Sequence, residues 1–310
     1  MAKPTPESRP ALLVTELWGL GDVALAIPFL RTAARHGPVT LLAKAHAAPL
    51  LRRFAPEVDR VVLDAPWTAF RGKYRFWQWP WGALRSVRAQ LAGRHFDRGV
   101  SARADPRDHL LLTLCRVRRR VGFARAGSGL LLHSALPPPP TPHRADAWAA
   151  LAEALGWPQP EPVGAAPGTV RRIVVHTGAA QPVRRWPTER YDALTHRLRV
   201  QGYEVDRIDE SAGTIDALLD CLAAADAFIG NDSGPGHLAA LLGRPTFTIF
   251  GPQLPENFAP RYPRAAWIDG APCPHKPCYD HCRFSRPHCL LDLEVEEVWS
   301  RVEGWLKSLR

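Results

Sequence analysis

The chain has 310 residues, 46% apolar and 23% charged, with a formal net charge of +10. That length suits two domains of ordinary size, and that composition excludes a disordered chain. No apolar run approaches the span of a bilayer, and the opening MAKPTPESRP lacks a charged-then-apolar leader, so a cytoplasmic protein is predicted.

The charge is uneven. Residues 1–160 carry 23 Lys and Arg against 11 Asp and Glu, whereas residues 161–310 carry 17 against 19. A basic half of this kind either faces something acidic, such as an anionic membrane surface, a phosphorylated acceptor or nucleic acid, or is a solubilising surface.

In chain order, ALLVTEL (11–17) reads as a buried strand and DVALAIPFLRTAARHG (22–37) as a helix. PVTLLAK (38–44) is a second strand, and RRFAPEVDRVVLD supplies a short helix and a third strand ending at Asp64. Further strands are predicted around 96–103 and 120–125, and a helix over 147–156. This alternation predicts a parallel sheet with helices on both faces. The proline run 137–140 fits neither a helix nor a central strand. PQPEPVGAAPGT (158–169) reads as a linker, after which the rhythm restarts. Strands are predicted at 171–178, 203–209, 227–230 and 245–251, and helices at 187–202, 214–226, from His237, and over 295–310. Two α/β domains, 1–160 and 161–310, are therefore expected, with a cleft between them and the last helix packing back on the first. Ligands are expected at the carboxyl ends of the strands.

One bend stands out. IGNDSGPGHLAALLG (229–243) runs from a strand straight into a helix. The amino end of such a helix has unpaired N–H groups and a partial positive charge, which suits phosphate oxygens. Gly234 and Gly236 allow close approach of the backbone, Pro235 stiffens the turn, and His237 can reach a phosphate. Ser233 can cap the helix or bond a ligand hydroxyl. Asp232, an awkward neighbour for a phosphate, is read as orienting the loop. An ordinary capped turn would look the same.

NDSGPGHLAALLGRPTFTIFGP (231–252) resembles the nucleotide-sugar motif of the family 9 glycosyltransferases, the ADP-heptose:lipopolysaccharide heptosyltransferases. GLGDVALAIPFLRTA (19–33) resembles their N-terminal Gly-Asp motif, HTGAAQPVRRWP (176–187) their phosphate-side loop, and the segment ending Cys289-Leu290 their late cysteine loop. The resemblance implies an α/β chain of the GT-B fold, two Rossmann-like doubly wound domains with a cleft between them, and no metal or other cofactor in catalysis. It implies an inverting transfer of heptose from ADP-heptose to a lipopolysaccharide core or related glycan. The acceptor would be a phosphorylated or lipid-linked saccharide, met at the cytoplasmic face of the inner membrane by peripheral contact, without nucleic acid. A non-catalytic nucleotide- or glycan-binding relative and transfer to a protein acceptor are the alternatives.

Gly19, Gly21 and Ala24 also fit a dinucleotide fingerprint after a strand. Asp22 beside a pyrophosphate and the lack of an acid at the end of the second strand argue against NAD. An attacking hydroxyl must lose its proton, and a carboxylate within reach can take it. The resemblance gives Asp22 that role, with a plain helix cap as the bland reading. The chain departs from the family in reading Glu16-Leu17-Trp18 where a basic residue is common. Arg184 matches the family's phosphate-binding lysine, and a guanidinium there can offset charge on the leaving nucleotide. Arg185 is its neighbour and possible substitute. Thr177, Gly178 and Ala179 form a strand-end loop able to offer N–H groups. Asp209 and Glu210 are candidates for the nucleotide ribose or base.

Cys273, Cys278, Cys282 and Cys289 cluster with three histidines between them. Such clustering favours a structural zinc or iron site over reduced thiols or disulfides. WTAFRGKYRFWQWPWGALRSVR (67–88) interleaves seven aromatics with basic residues, as an acceptor-binding flap, a membrane contact or a small aromatic core would.

Overall fold

The computed structural model describes residues 9–68, 77, 79, 81–161, 164, 168–209, 211, 213–261, 264–278 and 280–310. Most of the aromatic-basic segment at 69–80, part of the linker and Glu210 lie outside the described residues. The chain divides into two compact units, Met1–Glu161 and Pro162–Arg310.

In the first unit β1 (Leu12–Glu16) is buried at every residue, including the polar Thr15 and Glu16. A strand covered on both faces is what a parallel sheet requires. It leads into α1 (Leu20–His36), whose buried side chains include Val23, Ile27, Phe29 and Leu30. Then come β2 (Val39–Ala43), α2 (Ala47–Phe54), β3 (Asp59–Val62), α3 (Trp81–Gln90) and β4 (Arg98–Ser101). The unit closes with α4 (Pro106–Leu114), β5 (Arg119–Phe123), β6 (Ser134–Leu136) and α5 (Arg144–Ala154). The strands are parallel, in the order β3-β2-β1-β4-β5-β6.

In this unit α3, α4 and β6 go beyond the sequence reading. The three residues of β6 lie at the sheet edge and end where the proline run begins, because proline cannot extend the hydrogen-bonded ladder. The helix α4 starts at a cap: the Asp105 carboxylate accepts the Arg107 N–H at 3.0 Å, and Pro106 opens the first turn.

The second unit contains β7 (Arg172–His176), α6 (Thr188–Val200), β8 (Glu204–Ile208), α7 (Ile215–Ala224), β9 (Ala227–Asn231), α8 (Gly234–Leu241) and β10 (Thr246–Phe250). There follow α9 (Pro255–Phe258), β11 (Ala266–Asp269), α10 (His288–Leu291) and α11 (Val295–Ser308). Its strands are also parallel, ordered β11-β10-β9-β7-β8. The edge strand β11 is a further addition to the sequence reading. Val298, Val302, Trp305 and Leu306 of α11 join the core of their own unit, with Ile173, Phe247 and Ile249. No helix among the described residues is long and apolar enough to cross a membrane.

Each sheet has one place where the chain reverses its direction of winding: between β1 and β4 in the first, and between β7 and β9 in the second. The loops leaving paired strands diverge there to opposite faces, which opens a crevice at their carboxyl ends.

Candidate active site

Asp22 sits at the first of these points. It lies in the first turn of α1, directly after β1, and its carboxylate accepts the Gly19 N–H at 3.1 Å. Gly19 is thus the N-cap and Asp22 the N3 member of a capping box, and the same carboxylate also pairs with Arg103, which follows β4, and lies 3.9 Å from the Arg144 Nε at the start of α5. The Arg103 guanidinium is stacked 4.5 Å from the centre of the Trp18 ring. These contacts fix the acid at the strand ends with about a fifth of its side chain exposed.

Glu16, at the end of β1, is almost wholly buried and accepts the Trp18 N–H at 3.2 Å. Burial pushes its carboxyl up to about 7; Arg103 and Arg144 pull it down and Asp22 pushes it further up. Burial lowers Arg144 to about 10, helped by Arg103 and opposed by Asp22 and Glu16. Two acids and two arginines thus share one crevice, where the sequence reading had found only Asp22 and the unusual Glu16. Arg103 and Arg144 come from elements 81 and more residues away, and only the adjacency of β1 and β4 brings Arg103 in.

At the second point, Asn231 ends β9 and ties the loop after β7 to it. Its side chain accepts the Trp186 N–H at 3.0 Å and donates to the carbonyls of Thr177 and Gly178 at 2.9 and 3.2 Å. Gly230 is needed beside it: a Cβ there would stand 2.8 Å from the Phe228 ring and 2.9 Å from the His176 carbonyl. Thr177 does not offer its N–H to a ligand as expected, because that group donates to the Ile208 carbonyl at 2.9 Å. Ala179 is buried, and its carbonyl accepts Arg185 Nε at 2.9 Å, so Arg185 folds back on its own loop.

Arg184 points the other way. Its Nη1 donates to Asp232 at 3.1 Å, while Nε and Nη2 donate to the two oxygens of Asp280 at 2.6 and 2.7 Å. Asp232 begins the bend, which continues through Ser233 into Gly234, Pro235 and Gly236, the first turn of α8. Ser233 makes no cap bond; its hydroxyl donates to the Asn231 carbonyl at 3.1 Å. His237 is buried in the same turn. Arg184, Asp232 and the bend therefore form one group. Asp209 does not join them: it is exposed and accepts the N–H and hydroxyl of Ser211 at 2.8 and 2.6 Å, contacts that lower its carboxyl.

All six cysteines are free thiols, and Cys273, Cys278, Cys282 and Cys289 line one pocket together with Val183 and Pro252. Among the described residues no group of three or more His, Cys, Asp or Glu side chains is set as a metal-holding cluster. Cys115 packs against the core of the first unit, where burial pushes it up to about 11, and Cys221 is half-buried near Asp206 and Arg172.

Two parallel sheets, each with a single point of reversal, are the two Rossmann-like halves of the GT-B fold, and solved structures bear out that fold. A family 9 glycosyltransferase from Veillonella parvula superposes with a TM-score of 0.76 at 18% identity, over 99% of this chain and 100% of that one. The E. coli heptosyltransferase WaaC with ADP superposes at 0.74 and 18%, over 95% and 99%. The iron-containing dodecameric glycosyltransferase TibC of E. coli superposes at 0.59 and 16%, over 98% and 77%. Residues 213–286 match the family model "Glycosyltransferase family 9 (heptosyltransferase)". Lipopolysaccharide heptosyltransferase 1 of Pseudomonas aeruginosa is 28% identical over 204 residues, which is 50% of this chain and 57% of the relative. The match thus spans little more than half the length of that curated relative. The chain is similar to glycosyltransferase family 9 over these segments.

Proposed function

We propose that the protein is an inverting glycosyltransferase that moves heptose from ADP-heptose to a hydroxyl of a lipopolysaccharide core or related glycan. The acceptor oxygen attacks the anomeric carbon and Asp22 takes its proton. The bond from that carbon to the β-phosphate oxygen breaks, and ADP leaves with the electron pair. Arg184 and the Ser233–His237 bend offset the charge on the departing diphosphate. The diphosphate takes the place of the Asp232 carboxylate at Nη1 of Arg184, since both are anionic oxygens seeking the same donor.

The observation that carries this reading is the grouping of Arg184 with the Asp232–Gly236 bend at the reversal point of the second sheet, in a fold shared with a relative solved with ADP. Asp22, held by Arg103 at the reversal point of the first sheet, supplies the acid that a purely binding protein would not need. The reading includes a cytoplasmic protein that meets a lipid-linked acceptor by peripheral contact of its basic first half with the inner membrane.

The four-cysteine pocket is read as a structural site for zinc or iron. Thiolates suit both ions, and the burial that raises Cys289 to about 11 is offset once a cation is bound. The thiols must draw closer to ligate, so the site braces its loop and takes no part in transfer. Elemental analysis of the purified protein checks it: one equivalent of zinc or iron is expected, and a metal-free protein of full activity rejects it.

Purified protein incubated with ADP-heptose and a core-saccharide acceptor tests the function. ADP release that depends on the acceptor is expected. Turnover with a protein acceptor alone redirects the reading, and tight ADP binding without any transfer replaces it with a binding role.

A further inference from the structure

The sequence reading treated the cysteine segment and the phosphate-side arginine as separate features. The structure links them through a residue that reading did not single out. Asp280 stands between Cys278 and Cys282, and both of its carboxylate oxygens take Arg184, 96 residues earlier in the chain. Its side chain is 9% exposed, so this is a sheltered, forked ion pair and not a surface contact. Gln253, itself buried, donates to the same carboxylate at 3.3 Å. Asp280 holds a left-handed backbone, with φ of 68°, which aspartate tolerates better than most residues.

Asp280 is also two residues from each of Cys278 and Cys282, which line the cysteine pocket. The Cys278 N–H donates to the Pro252 carbonyl at 3.3 Å, and the His281 N–H to the Cys278 carbonyl at 3.0 Å. Val183, next to Arg184, lines the pocket beside the four sulfurs. One residue therefore carries the thiol turn on its main chain and the guanidinium on its side chain.

We propose that Asp280 is the positioning residue of Arg184, and that the four-cysteine loop sets the donor site through it. This rests on Arg184 being the cation that meets the donor diphosphate. A forked carboxylate fixes the Nε–Nη2 edge of the guanidinium and leaves Nη1 aimed at Asp232 and the bend. Without Asp280 the guanidinium swings among rotamers, and ordering it again on ligand binding weakens affinity. A change at the cysteines that shifts the Cys278–Cys282 turn moves Asp280 and so acts on nucleotide binding from a pocket that holds no substrate.

The test is a double-mutant cycle read as ADP affinity by calorimetry, with circular dichroism to confirm folding. Asp280→Asn keeps the shape and loses the charge; it is expected to weaken ADP about tenfold, and Asp280→Glu to recover part of that. Arg184→Ala is expected to weaken ADP at least as much, and adding Asp280→Asn to it should cost nothing further. Cys278→Ala with Cys282→Ala should weaken ADP in the parent but not in the Asp280→Asn background. Parental affinity in Asp280→Asn and in Asp280→Glu, alongside loss in Arg184→Ala, overturns the positioning role and spares the Arg184 assignment. So do fully additive effects. Parental affinity in Arg184→Ala overturns both.

Discussion

Arg103 follows the end of β4 and closes on the carboxylate of Asp22 in the first turn of α1, with its guanidinium 4.5 Å from the centre of the Trp18 ring. A cation beside a carboxylate favours the ionised form, which is the form a general base needs before it takes a proton. The pairing also restrains the acid's rotamer. Replacing Arg103 with Ala is therefore expected to lower kcat at neutral pH by about tenfold or more. Arg103→Lys keeps a charge but loses the flat stack on Trp18 and should fall between. Rate profiles from pH 5 to 8.5 check both.

Glu16 gives a stability prediction with a definite sign. Its folded carboxyl is raised by burial to about 7, against an ordinary 4.5. The folded state therefore binds a proton that the unfolded state has lost across that interval. The contribution is fully present below pH 4.5 and disappears as pH rises through 7; it is on the order of 3 kcal/mol. Asp108, raised by burial to about 6, works in the same direction at lower pH. Denaturant unfolding at pH 5 and pH 7.5 reads this fall, which the burial-lowered His46 and His109 oppose, as a difference between parent and Glu16→Gln. Glu16→Gln should lose less stability over that interval, keeping the part due to Asp108.

Asn231 supports a third prediction. Its side chain satisfies the Trp186 N–H and two loop carbonyls in largely buried surroundings. Asn231→Ala leaves these groups without their partner, at a cost of about 2–4 kcal/mol. Because the same bonds hold the loop that carries Arg184, ADP affinity should fall along with the melting temperature. A surface loop of no consequence would lose neither.

Gly230 supplies a steric companion. A methyl group there meets the Phe228 ring and the His176 carbonyl at under 3 Å, and a backbone carbonyl cannot swing aside. Gly230→Ala should destabilise the second unit by about 1–3 kcal/mol, seen as a lower denaturant midpoint.

These particulars show what was legible in the sequence. The strands at Leu12–Glu16, Val39–Ala43, Arg172–His176 and Thr246–Phe250 are short apolar runs bounded by turns, and each was readable from its own residues. So was the bend at Asp232–Gly236, because strand, glycines and helix are contiguous there. The edge strand β6 was not, since three residues beside a proline run carry no periodicity. Arg103, Arg144 and Asp280 stayed hidden among many charged residues for a different reason. Their importance comes from strand neighbours and loop closures far apart in sequence, with Asp280 reaching its arginine across 96 residues. Asp209 was the converse case: a local acid with a suggestive position that, among the described residues, bonds its own turn.

The central claim is that Asp22 takes the acceptor's proton while a separate group of residues holds the donor. Asp22→Asn, assayed in parallel for ADP binding by calorimetry and for heptosyl transfer from ADP-heptose, tests it most directly. The account predicts an ADP affinity within about twofold of the parent and a transfer rate lower by about a hundredfold or more. Transfer at the parental rate by a folded Asp22→Asn protein would contradict it.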